Sequence, residues 1–429
     1  MSPARTVLLI AYHFPPVKGS SGVQRTLRFA RHLPSFGWRP IVLTIDPSAY
    51  EAVSLATGNE IPPGLEVHRA FGMDAARRLS LFGRYPRAFA LPDRWASWKW
   101  WAVRKARQIV RTARVDALCS TFPLATTHAI GLEVARRTGL PWVAEFRDPM
   151  WQGDYPPDPH MNKAWQGLER EIFARADAAI VTTPGAVATY QERFPSFAAS
   201  RLSLIENGYD EETFQRARAA LSASSDSADS AAAGKRPVKL LHSGLIYPSE
   251  RDPTQLFAAI EALKRSGRID AEALQIVLRA SGNEAVFRRE LQTRDIADIV
   301  KLEPAIDYLP ALQEMLTADG LMILQAANCN AQVPAKLYEY LRAERPILAL
   351  TDAAGDTART LEAAGAALIA PLDSAAAIEV ALPLFLQQIQ DDSWRRPTPA
   401  SLARYSRESQ AGQFARLLDE VAGRSKAHG

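Results

Sequence analysis

Short apolar runs alternate with longer stretches of helical pattern along the whole chain. Six runs fall in the first half: "TVLLIAY" (6–12), "PIVLTI" (40–45), "DALCST" (116–121), "PWVAEF" (141–146), "AAIVTT" (178–183) and "LSLIEN" (202–207). Six more follow a gap: "VKLLHSG" (238–244), "LQIVLRA" (274–280), "IVKLEP" (299–304), "GLMILQA" (320–326), "PILALT" (346–351) and "AALIAP" (366–371). The runs are continuous and rich in Val, Ile and Leu. A strand wet on one face alternates instead, so these predict parallel strands covered by helices on both sides. Between them apolar residues recur three and four apart, as at Val23, Leu27 and Ala30, which predicts helices. The alternation predicts an α/β fold.

The gap is "RARAALSASSDSADSAAAGKRP" (216–237), rich in Ala, Ser and Asp and nearly free of large apolar residues. It reads as a linker or disordered loop, because it has too little to bury. The expected organisation is therefore two doubly wound Rossmann-like domains facing across a cleft. The first spans 1–215 and the second 238–400. A last helical segment, 401–429, is expected to pack back on the first domain. In open parallel sheets ligands bind beyond the carboxyl ends of the strands, so the loops there are where chemistry is sought.

Composition removes several classes. With 47% hydrophobic and 23% charged residues, the chain reads as soluble and globular. A net charge of +4, with no accompanying motif, does not argue for nucleic acid. The two cysteines, Cys119 and Cys329, are far apart and form neither a disulfide framework nor a metal spacing, which suggests a reducing compartment. No signal peptide and no membrane span is expected.

The stretch "VPAKLYEYL" (333–341) places Lys336 in a first helical turn and Glu339 one turn later. A lysine beside free helix amides makes a site for an anion such as phosphate. A carboxylate roughly 5 Å along the axis suits a pair of neighbouring hydroxyls, as in ribose. The other reading is a solvated Lys–Glu pair contributing a few tenths of a kcal/mol. Leu337 and Leu341 are expected to face inward, with Lys336, Glu339, Arg342 and Ala343 opposite.

"VPAKLYEYLRAERPILAL" resembles the donor-site segment of retaining glycosyltransferases of the GT-B fold, family 4 type. "YHFPPVKGSSGVQRTLRFARHL", "PWVAEFRDPMW", "IENGYDEETF" and "HSGLIYPSERDP" resemble further segments of that family, in the same order. The resemblance implies a nucleotide-diphosphate sugar donor, retention of configuration and no metal or cofactor. It implies that Glu339 holds the donor ribose. It also implies that Arg251 and Lys336 neutralise the diphosphate, and that Gly244, in the first loop of the nucleotide-binding domain, contacts the donor. The family's first motif glutamate would fall at Ala331, so Asn330 or Gln332 is expected to take its place. An alternative for Arg251 is a helix-entry arginine paired with Asp252. Gly19 and Gly22 are expected to let backbone approach the donor, while Ser21 and Gln24 also fit a capping box.

"EFRDP" crowds Glu145, Arg147 and Asp148 at a strand end. Either they orient donor or acceptor, or an Arg–Asp pair braces the turn. His128 is a catalytic candidate or a buried, satisfied histidine. His13 and His242 also sit at strand ends and are outside candidates. The segment "GRYPRAFALPDRWASWKWWAVRKARQIVRTAR" (83–114) carries nine Lys/Arg, one acid and Trp95, Trp98, Trp100 and Trp101. Its 84–114 part suits peripheral contact with an anionic membrane, or else a core-packed helix with solvated bases. The expected function is transfer of a sugar to a lipid-linked or saccharide acceptor in surface polysaccharide or glycolipid assembly. The expected place is the cytoplasm, at the inner face of the cytoplasmic membrane. The alternatives are a nucleotide-sugar epimerase of the same fold, or a catalytically weak sugar-nucleotide-binding protein.

Overall fold

The structure is a computed structural model. It describes residues 5–18, 22–54, 58, 60–79, 90–153, 155–225 and 236–427. The chain divides into two compact units, 1–207 with 407–429, and 208–406.

The first unit holds one parallel sheet. Its strands are β1 (Arg5–Ile10), β2 (Trp38–Ile45), β3 (Glu66–Ala70), β4 (Ala117–Thr121), β5 (Trp142–Phe146), β6 (Ala178–Val181) and β7 (Leu202–Leu204), in the spatial order β3-β2-β1-β4-β5-β6-β7. The second unit holds β8 (Val238–Ser243), β9 (Leu274–Arg279), β10 (Val300–Glu303), β11 (Gly320–Leu324), β12 (Ile347–Leu350) and β13 (Ala367–Ala370), in the order β10-β9-β8-β11-β12-β13. In both, the chain starts mid-sheet, winds to one edge, then returns and winds to the other. The reversal lies between β1 and β4 in one sheet and between β8 and β11 in the other, which is where such sheets open a crevice.

The continuous apolar runs have the expected cause. In β8, Leu240 packs into one core while its neighbour Leu241 packs into another, on the opposite face of the sheet. Met322 and Leu324 against Leu321 and Ile323 divide the same way in β11. Both faces are buried, so both residue parities must be apolar.

Three features differ from the sequence reading. β3 was not expected: "EVHRA" is polar because it is an edge strand, paired only with β2. The helix Glu211–Ser225 runs into the Ala/Ser stretch, anchored by buried Phe214 and Ala217. Alanine-rich sequence that cannot form a core still propagates a helix already docked. The rest of that stretch, 226–235, lies outside the described residues. Finally, only the helix Arg407–Ala427 joins the first unit, while 401–406 stays with the second. In the first unit Asp419 of that helix accepts hydrogen bonds from Arg5 (2.8 Å) and Trp38 Nε1 (3.0 Å), and Phe414 packs on Phe29.

Candidate functional site

The helix Lys336–Ala343 follows the loop after β11 and sits at the reversal of the second sheet. It is buried on more sides than its spacing suggests. Leu337 and Leu341 face inward as expected, but Tyr338, Tyr340 and Ala343 are buried too. Tyr338 packs against Tyr405 with the rings tilted, and the Tyr340 hydroxyl accepts a hydrogen bond from Ser243 N (2.9 Å) at the end of β8. Tyr340 thereby pins the helix to the strand end. Lys336 and Glu339 are left at the partly open side.

Lys336 reaches back over β8. Its Nζ lies 3.1 Å from His242 Nε2. Gly244 follows directly, with φ +115, a conformation that side chains rarely adopt, and a Cβ there would lie 3.0 Å from the lysine nitrogen. Only glycine gives both the turn and the space. Burial first, then the nearby Arg251 charge, pushes the Lys336 pKa down to about 7, with Glu339 opposing the shift. The site thus holds a cation whose charge is met by no carboxylate hydrogen bond among the described residues. An incoming anion would stabilise it.

Arg251 ends the short helix Pro248–Arg251 in the loop after β8. It is not paired with Asp252, which caps Thr254 instead through the backbone N (3.0 Å) and Oγ1 (2.6 Å). Arg251 donates to Leu245 O (2.9 Å) and lies over the Tyr247 ring. This loop is laced to the one after β11. Ala326 N donates to Glu250 O (2.7 Å) and Asn328 Nδ2 to Ser249 O (2.8 Å).

Glu339 is oriented by a residue the sequence reading missed. The Tyr308 hydroxyl, from the helix after β10, donates to Glu339 Oε1 (2.7 Å). Nothing local marks Tyr308, since its partner is 31 residues away. Gln325 was missed as well. It is 3% exposed, and its Nε2 donates to the carbonyls of Cys329 and Gln332, both at 3.0 Å. A buried amide at a strand end is its only signal. Asn330 turns its Nδ2 to Asp352 (2.6 Å), and so braces the loop. Gln332 contributes its carbonyl to the same bracing, and Thr357 Oγ1 also donates to it (3.2 Å).

In the first unit Gly22 is buried at the start of the helix Gly22–His32, while Gly19 lies outside the described residues. The "EFRDP" residues separate. Glu145 is buried and pairs with buried Arg25 at 2.6 Å. Arg25 also donates to the carbonyls of Ile205 (2.8 Å) and Glu206 (2.7 Å). This network ties the helix after β1 to β5 and to the end of β7. Arg147 is half-buried, its carbonyl accepting from Thr182 Oγ1 (2.6 Å), and Asp148 is exposed. The Arg147 Nε is buried and has no hydrogen-bond partner. Burial, aided by the Arg147 charge, pushes the His13 pKa down to about 4. His128 is 0% exposed and belongs to the core. Its Nδ1 meets Ser120 Oγ at 2.8 Å, its ring lies against Phe146, and burial pushes its pKa down to about 3. Its burial fits the second of its two sequence readings, but its Nε2, buried too, has no hydrogen-bond partner among the described residues.

Residues 21–208 match a family model described as "Glycosyl transferase 4-like domain". No curated protein matches the chain in sequence. Solved structures match nearly its whole length. Sucrose-phosphate synthase from Thermosynechococcus elongatus has a TM-score of 0.64 at 16% identity, covering 97% of this chain and 98% of that one. Anabaena HepE, in complex with UDP-glucose, has a TM-score of 0.56 at 13% identity, covering 99% and 98%. The UDP-GlcNAc 2-epimerase from Methanocaldococcus jannaschii has 0.57 at 11%, covering 97% and 99%. Two parallel sheets, each with its reversal, give the chain the two-domain α/β fold of these structures, and residues 21–208 are similar to the glycosyl transferase 4-like domain.

Proposed function

We propose that the protein is a retaining glycosyltransferase that takes a nucleotide-diphosphate sugar as donor. The observation that carries this is Lys336, a cation held by a neutral histidine over Gly244, with Arg251 close enough to lower its pKa. These two cations would receive the charge that grows on the diphosphate as the sugar leaves, the electrostatic role. Glu339, held by Tyr308, would take the ribose hydroxyls. In a retaining transfer the leaving phosphate itself takes the acceptor's proton, so few protein acids are required. The reading is metal-independent, and chelation with EDTA should leave the rate unchanged. HepE, of similar fold, is recorded with UDP-glucose, which favours a nucleotide sugar here.

The test is release of free nucleotide from UDP-, GDP- and ADP-sugars. Release with transfer is expected, and Glu339→Ala should weaken donor binding. A sugar converted but never detached would mean an epimerase. Unchanged donor affinity in Glu339→Ala would remove the central assignment.

The acceptor we propose is a saccharide or a lipid-linked saccharide, met at an anionic membrane surface. No described helix is long and apolar enough to cross a membrane. The helix Trp98–Ala113 supports contact instead. Trp98 is fully buried, but Trp100 is 80% and Trp101 51% exposed. Phe71, 47% exposed, meets Trp101 edge-on at 5.8 Å. Arg104 and Arg111 continue the exposed face, and Arg77 and Arg78 are exposed in the helix Ala75–Arg78. Exposed aromatic rings flanked by bases fit the interface of an anionic bilayer.

A further inference from the structure

His242 enters none of the roles above, yet it is the only side chain hydrogen-bonded to Lys336 among the described residues. It is 1% exposed, so it does not touch a ligand itself. Its Nδ1 lies 3.0 Å from the carbonyl of Met322 on β11. A carbonyl only accepts, so Nδ1 carries the proton and Nε2 is bare. Burial and the neighbouring Lys336 hold the ring well below the usual histidine pKa, and it stays neutral. The bare Nε2 then accepts from the lysine ammonium.

We propose that His242 is a positioning residue: it fixes Lys336 beside Gly244, ready for the donor's diphosphate, without cancelling the lysine's charge. The inference rests on the donor-site reading above. The choice of residue has a physical reason. A carboxylate at this place would also hold Lys336, but it would neutralise the charge and repel phosphate. An apolar residue would leave a half-buried ammonium without an acceptor. A neutral ring with one lone pair directs the lysine and leaves its charge for the ligand. The tautomer is set from β11 and the lysine is reached from β8, so both strands at the sheet's reversal cooperate in one hydrogen-bond chain. The other charged groups facing Lys336 are Arg251, which lowers its pKa, and Glu339, which raises it.

The experiment is calorimetric titration of the full chain with UDP, GDP and ADP, and with uridine, guanosine and adenosine as controls. His242→Leu, His242→Gln, Lys336→Met and the double variant His242→Leu/Lys336→Met are compared. His242→Leu is expected to weaken the preferred diphosphate about tenfold, in the range of a lost hydrogen bond to a charged group. Its parent nucleoside should be unaffected, because Lys336 does not meet it. His242→Gln, whose amide oxygen can accept from the lysine, should recover most of the affinity. In the Lys336→Met background His242→Leu should cost almost nothing more, as coupled residues require. Equal losses for nucleoside and diphosphate, or an additive double variant, would overturn the proposal. Should His242→Leu not fold, ¹⁵N spectra of the histidine rings decide. Nε2 of His242 should resonate as a bare, hydrogen-bonded nitrogen and shift in Lys336→Met; a protonated Nε2 or no shift overturns it. A wild-type chain that binds none of the three diphosphates would instead remove the donor-site reading, and His242's role with it.

Discussion

Arg25 and Lys336 are both cations set into their units at strand ends, and they could hardly be treated more differently. Arg25 is 1% exposed and fully engaged: Glu145 cancels its charge, and two carbonyls take further N–H groups. Lys336 has a neutral ring as its partner, a second cation nearby and a pKa pushed down to about 7. A buried charge already matched inside the protein serves the fold. On the donor-site reading proposed above, a charge held in place but not matched is kept for something that arrives. On that reading the same difference separates bracing from binding.

The largest effect should come from breaking the matched pair. Arg25→Met strands the Glu145 carboxylate in the core, and unfolding free energy should fall by about 3–5 kcal/mol. Denaturant unfolding measures this; a loss under 1 kcal/mol would mean the pair is not structural. Lys336→Met should do the reverse. Stability should hold or rise, since an unmatched charge is removed, while diphosphate affinity should drop roughly 10–100-fold. A Lys336→Met chain destabilised as much as Arg25→Met would mean that Lys336 is structural too.

The pH dependence sharpens the same comparison. Without ligand the Lys336 pKa is pushed down to about 7, from the ordinary lysine value of 10.5. Between these values the unfolded chain binds the proton and the folded chain does not. This group's contribution to stability therefore rises with pH through that window. Diphosphate binding needs the ammonium, so affinity should fall as pH rises above about 7, by up to tenfold per unit, until the pKa of the complex is passed. Titrations from pH 6 to 9 check the slope, and it should vanish in Lys336→Met. The smallest effect concerns Tyr308→Phe, which removes one hydrogen bond to Glu339. Nucleotide affinity should fall about three- to tenfold with thermal stability nearly unchanged.

The architecture was legible because burial of both sheet faces writes itself into local sequence. Every expected strand run overlaps a strand, and the missed β3 is the one whose residues are mostly polar. The shared placement of Lys336 and Glu339 was legible because they are one helical turn apart on the open side of one helix. What surrounds them was not. Tyr308 and His242 act on residues 31 and 94 positions away, brought near by winding the chain through a sheet, and a hydrogen bond across such a distance leaves no periodic trace. The tryptophans show the same limit. Residues 98, 100 and 101 look alike in sequence, yet the helix turns Trp98 inward and leaves Trp100 and Trp101 exposed.

The sequence alone determined the α/β class, the two sets of strands and the placement of a lysine and a glutamate on one helix. Those follow from periodicity and spacing, which act over a few residues. Tertiary structure decided which charges are spent and which are kept. It matched Glu145 to Arg25, gave Lys336 a neutral partner and closed His128 into the core. The physical reason is that the fate of a charge depends on the dielectric and the partners around it, and both are set by contacts distant in the chain.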